Sequence, residues 1–201
     1  MSPSQVDPNS VFLNIPYDEE FFSLYIAYVV GLFQLGLVPH LASEIPGGKR
    51  RLDKILVLIE SCRYSIHDLS RVELSLPPSA TPRFNMPLEL GMTIAWEGMN
   101  PDRHSWSVWE SAPYRLQRST SDLNGTDPYI HRGTVEGVLS ELRSLFVFID
   151  SPSVEQMMKT YKKIESKLGK ILATAGTRNL YSAAVFKALC FVALNAAKSG
   201  K

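Results

Sequence analysis

The sequence predicts an α/β domain: a doubly wound, mostly parallel sheet of four or five strands, with two extra helices at its C-terminal end. Three observations predict it. Short apolar runs at residues 11–15, 37–41, 64–66 and 105–109 alternate with stretches of helical periodicity, the order of strand–helix–strand units. Val11 to Ile15 is almost wholly apolar, which suits a central strand covered on both faces. The stretches between carry one apolar stripe, as in Leu52, Ile55, Leu56 and Ile59.

Residues 1–9 are polar with two prolines and read as a loose arm. The first strand contains Asn14 and ends at Pro16 and Tyr17. Asp18, Glu19 and Glu20 then open a helix whose positive dipole end suits their charge; it runs to about Leu35 and stops at Gly36, a C-terminal cap. Segment 21–39 lacks charge and approaches the roughly 20 residues that span a bilayer. Ser23, Tyr25, Tyr28 and Gln34 interrupt it and a strand precedes it, so it reads as a buried helix and no membrane role is expected. Leu37 to Leu41 is the second strand. Pro46-Gly47-Gly48 with Lys49-Arg50-Arg51 lacks the hydroxyl residue and spaced glycine of a phosphate loop, and reads as a flexible basic turn.

After the helix at 52–59, Tyr64 to Ile66 forms a third strand that delivers His67 and Asp68. MPLELGMTIAWEG is a helix ending near Gly98, with Asn85 as its cap and Pro87 in its first turn, so Glu89 lies near its N-terminus. Ser105 to Trp109 alternates as a fourth strand. Glu110 to Arg132 is a long polar stretch of the kind that is usually functional in a compact domain, with a short strand near Tyr129 and Ile130. The next helix carries Val135, Val138, Leu139, Leu142 and Phe146 on one stripe. Beyond Asp150, one helix repeats Val154, Met157, Tyr161, Ile164 and Leu168. A second, from about Thr177 to Ala197, is apolar over much of its circumference.

These elements divide the chain into an α/β domain over 1–150 and a helical extension over 151–201, which packs on that domain or on a partner subunit; a homo-oligomer through these helices is expected. The net charge of +1 argues against a nucleic-acid binder, although the extension carries +7 and the rest −6. Cys62 and Cys190 form no CxxC pair, and with no cleavable signal a reducing cytoplasm is expected. His40, His67, His104 and His131 lack spaced partners, so no metal and no cofactor is expected.

In open α/β sheets, ligands bind beyond the carboxyl ends of the strands. Asn14, Tyr17 and Asp18 follow the first strand, Asp68 and Ser70 the third, and Trp109 and Glu110 the fourth. The loop before Glu89 supplies Arg83 and Asn85. Asp122 and Asn124 lie in the long polar stretch, which reads as a cover for the site. Asp68 and Glu89 are expected to share one cleft, and two carboxylates between aromatic walls suit glycosidic chemistry. An N-glycoside with a good leaving base needs little acid assistance, so a single well-placed glutamate could suffice.

The segments NIPYDEEF, IHDLS and RFNMPLELG resemble, in order, the three signature segments of the nucleoside 2-deoxyribosyltransferase and TIR-like superfamily. The resemblance covers roughly residues 11–146. It implies a flavodoxin-like fold acting on N-glycosidic bonds of nucleosides, nucleotides or NAD, with Glu89 as nucleophile. Asp68 would hold the sugar or orient Glu89, and Tyr17 with Asp18 would line the base or ribose pocket. Arg83 and Asn85 ahead of the ELG motif resemble the TIR-like branch more closely, which implies hydrolysis of a phosphate-bearing nucleotide. The alternative is a binding module that senses a nucleotide in the same cleft without cutting it. A phosphorylated receiver-like domain with Asp68 as acceptor ranks lowest, because Asn14 and Ile15 stand where its acidic residues should be.

Overall fold

The computed structural model describes residues 6–45, 50–72 and 82–199. The expected turn at Pro46–Lys49 therefore lies outside the described residues. Five strands form one sheet: β1 (Asp7–Asn14), β2 (Val38–His40), β3 (Cys62–Asp68), β4 (Ser105–Glu110) and β5 (Tyr129–Ile130). All neighbours are parallel and the order is β2-β1-β3-β4-β5, the flavodoxin-like doubly wound arrangement. The strand order reverses between β1 and β3. At their carboxyl ends Asn14 pairs with His67, and Asp68 with Trp109.

Among the described residues eight helices accompany the sheet: α1 (Phe22–Gln34), α2 (Arg51–Ser61), α3 (Asn85–Met99), α4 (Arg115–Ser119), α5 (Val135–Leu145), α6 (Val154–Glu165), α7 (Leu168–Ala175) and α8 (Ala183–Ser199). Strand parity decides which face each core residue meets. Val11, Leu13, Ile66 and Trp109 turn to one face, where they join α1, α5, α6 and α8 in one apolar cluster. Phe12 turns to the other, against Ile55, Leu58 and Ile59 of α2 and Met92 and Trp96 of α3.

The charge-free segment at 21–39 is explained by burial. Eleven of the thirteen residues of α1 are buried, because the sheet covers one side and the α5, α6 and α8 layer the other. Among the described residues no helix is long and apolar enough to cross a membrane. Gly36 ends α1 at φ +78°, with the Leu37 N–H donating to the Leu32 carbonyl at 2.9 Å, as a left-handed cap requires.

Several boundaries differ from expectation. Residues 7–9, expected in a loose arm, belong to β1, which continues past an irregular register between Asp7 and Val11. A 3-10 turn, Glu19–Phe21, precedes α1, and Asp18 caps it by accepting the Phe21 N–H at 3.0 Å. Asn85 does not cap α3: Phe84 holds that position without a side-chain bond, and Asn85 is already helical. The polar stretch at 110–132 contains α4, a 3-10 turn at Ser121–Leu123 and, as expected, β5. Beyond residue 150 there are three helices, not two. Ser166 and Lys167 interrupt the first expected helix, and Gly176, at φ +65°, ends α7. One side of α8 meets α1, α6 and α7, while Phe191 and Leu194 remain exposed.

Candidate functional site

Glu89 lies in the second turn of α3 and is only 3 % exposed. Helical spacing turns it inward with Met86, Leu90 and Thr93, toward the mouth of the sheet beside β1 and β3. Burial pushes its carboxyl up from 4.5 to about 7, against the opposing pulls of the Arg51 guanidinium and the Asn85 side chain. Arg51, the first residue of α2, reaches 3.9 Å from the carboxylate, beyond hydrogen-bond distance. The same guanidinium lies 5.4 Å from the centre of the Tyr17 ring. Burial pushes the Tyr17 phenol up to about 12, with Arg51 and Ser43 drawing it down. Glu89, Arg51, Tyr17 and Asn85 thus form one electrostatic group at the point where strand order reverses.

Asp18 organises the rim. Its Oδ2 accepts from Arg71 Nε at 2.9 Å and from Arg83 at 2.7 Å, and Arg71 also pairs with Glu20 at 2.8 Å. Burial would raise the Asp18 carboxyl, but the hydrogen bonds from Arg83 and Arg71 outweigh it and hold it below the usual range. Two arginines from the β3–α3 connection are thereby tied to the turn after β1.

Asp68 is not part of this group. It is fully buried, accepting from the Tyr28 hydroxyl at 2.8 Å and the Ser70 N–H at 3.0 Å, with His131 Nε2 3.3 Å away. The Gly133 N–H donates to His131 Nδ1, which leaves the proton on Nε2, facing Asp68 but off the hydrogen-bond direction. The physical reason is parity: Asp68 follows Ile66 to the α1 and α5 face, whereas Glu89 hangs from α3 on the other. Among the described residues the two carboxylates share no partner, so Asp68 and Glu89 occupy separate environments and not the one cleft expected for them.

Other expected site residues also have structural partners. Both amide hydrogens of Asn14 are used, toward His67 Nδ1 at 3.0 Å and the Met86 carbonyl at 3.1 Å, so this residue fastens α3 to β1. Burial pushes His67 down to about 3, which keeps it neutral there. Ser70 is buried and serves Asp68 through its backbone. Trp109 lies in the core, donating to Ser107 Oγ at 2.9 Å and stacking on Tyr129, and walls no opening. Asp122 and Asn124 are exposed in the turn between α4 and β5, with no side-chain bond to the Glu89 group.

Arg51 and Tyr181 carry no expected site role from the sequence, and Glu110 is expected only as a residue at the end of the fourth strand. Arg51 looked like one more charge of a basic turn. Tyr181 stacks on Tyr17 from a segment outside the α/β domain. Glu110, fully buried with its Oε1 unpartnered, joins Asp68 and His131. Burial pushes Glu110 up to about 7, with Arg115 pulling it down and Asp68 adding to the rise. Its position at the end of β4 was the only sequence signal. A groove of about 730 Å³ lies at the opposite end of α1, lined by Gln34, Leu35, Phe148, Gln156 and Ala197 among others. Its lone titratable group is Asp150, so it lacks the perturbed cluster that marks chemistry.

No family model matches this chain, and no curated protein or solved structure matches it. Among the described residues no group of three or more His, Cys, Asp or Glu could hold a metal ion.

Proposed function

We propose that this protein cleaves the N-glycosidic bond of a nucleotide, nucleoside or NAD, by hydrolysis or transfer, with Glu89 as the reacting carboxyl. The observation that carries the reading is a nearly buried glutamate, titrating near 7, beside an arginine and a tyrosine at the switch point of a flavodoxin-like sheet. Glu89 acts without a second carboxylate. In its ionised form it attacks or stabilises the oxocarbenium-like carbon as the base departs, and Arg51 favours that form by its charge. Asn85 steadies the carboxylate from the preceding turn of α3, and Arg51, largely exposed, can take an anionic part of the substrate. Asp68 holds the scaffold through Tyr28 and Ser70.

The test is base release from NAD and a panel of nucleosides and nucleotides, with the concentrated protein included. Wild type should release free base and Glu89→Gln should not, while keeping its fold. Equal inertness of both across the panel would sink the proposal. The long Arg51–Glu89 separation also favours a second reading, in which an anionic ligand binds at Arg51 without turnover. Thermal stabilisation by a nucleotide with no base released would support it, since ligand at 100 times its dissociation constant adds about 2.7 kcal/mol.

A further inference from the structure

The C-terminal helical segment supplies a side chain to the Glu89 group. Tyr181, just before α8, lies ring to ring on Tyr17, with centroids 4.6 Å apart and planes within 8°. Its hydroxyl donates to the Asp18 carbonyl at 2.8 Å, so one residue grips both positions of the turn after β1. Phe22 meets the Tyr181 ring edge-on at 5.9 Å, and Tyr25 lies tilted against it at 5.0 Å. Tyr181 is thus held from behind by α1 and is itself buried.

The gripped residues are the ones that place the arginines. Tyr17 carries the Arg51 guanidinium over its ring, and Arg51 faces Glu89. Asp18 pairs with Arg71 and Arg83. We propose that Tyr181 is a positioning residue of the site: it holds the Tyr17-Asp18 turn so that Arg51 stays beside Glu89 and water is kept from the Glu89 carboxyl. The face of Tyr17 against Tyr181 is closed to any ligand, so Tyr17 acts as a support for Arg51 more than as a stacking platform. This rests on Glu89 being the working residue, but not on which bond it cuts.

The test follows the Glu89 carboxyl signal by 13C NMR against pH in the full-length chain. The variants are Tyr181→Leu, Tyr181→Phe and, as a control, Tyr161→Leu, which removes a buried tyrosine bonded to Glu165 in α6. Wild type, Tyr181→Phe and Tyr161→Leu should titrate near 7. Tyr181→Leu should fall by about one pH unit or more toward 4.5, because burial is the largest influence on this carboxyl and the water a loosened turn admits outweighs the pull lost with Arg51. Tyr181→Met, which fills the space without a ring to stack, serves if Tyr181→Leu does not fold. A midpoint unchanged in the Leu or Met variant, an equal fall in Tyr161→Leu, or a wild-type midpoint near 4.5 would overturn the proposal. Base release, read in parallel, separates the two ideas: a shifted midpoint in a wholly inert protein would remove the glycosidase and leave the positioning role.

Discussion

Replacing Glu89 with glutamine removes one titration and leaves nearly the same shape. The folded carboxyl titrates near 7 against 4.5 for the free group. Below about pH 4.5 both folded and unfolded chains hold the proton, and the full stability is present. As pH rises, the unfolded chain releases its proton first, and wild type loses stability until the folded carboxyl has also ionised. At 1.36 kcal/mol per pKa unit this loss is about 3 kcal/mol, complete above pH 7 to 8. Glu89→Gln has no such loss. Its stability relative to wild type should therefore rise by about 3 kcal/mol between pH 4 and pH 8, while Glu110, present in both chains, cancels in the comparison. Urea denaturation of both chains at half-unit pH intervals measures the difference directly. A difference flat to within about 0.5 kcal/mol would refute the claim that burial controls this carboxyl. In the same variant, base release should fall to the uncatalysed background, because a neutral amide neither attacks nor stabilises the cationic sugar carbon.

Glu110→Gln should likewise stabilise the protein above pH 7 by an effect of the same order, since this carboxyl is also pushed up to about 7 and its raised, protonated form is the one folding favours; the same urea series reads it. Asp68→Asn places an amide against the Tyr28 hydroxyl, the Ser70 N–H and His131. It should cost about 1–3 kcal/mol in denaturation while base release per folded molecule stays within about threefold. A much larger loss of turnover would put Asp68 back in the chemistry. Gly31→Ala sets a Cβ 2.6 Å from Leu142 Cδ1 and 2.9 Å from Leu139 Cδ2, where α1 crosses α5. It should destabilise by about 1–3 kcal/mol despite a better helix propensity, and an unchanged melting temperature would show that the two helices can separate at little cost.

Features that depend on neighbours a few positions apart are legible in the chain alone: the strand–helix alternation, the stop at Gly36, the short strand at Tyr129 and Ile130, and the place of Glu89 near the start of its helix. Periodicity and capping are local, so they are written locally. Asp68 was equally visible as a strand-end residue, yet the face it meets depends on which side α1 and α5 pack, and no local pattern encodes that. The Asn85 cap missed by one helical position, since Phe84 holds the cap and Asn14 bonds the Met86 carbonyl in the turn that follows. The raised titration of Glu89 and Glu110 needs walls assembled from several elements. Tyr181 meets Tyr17 across 164 residues of chain, a contact that only the docking of α8 against α1 creates.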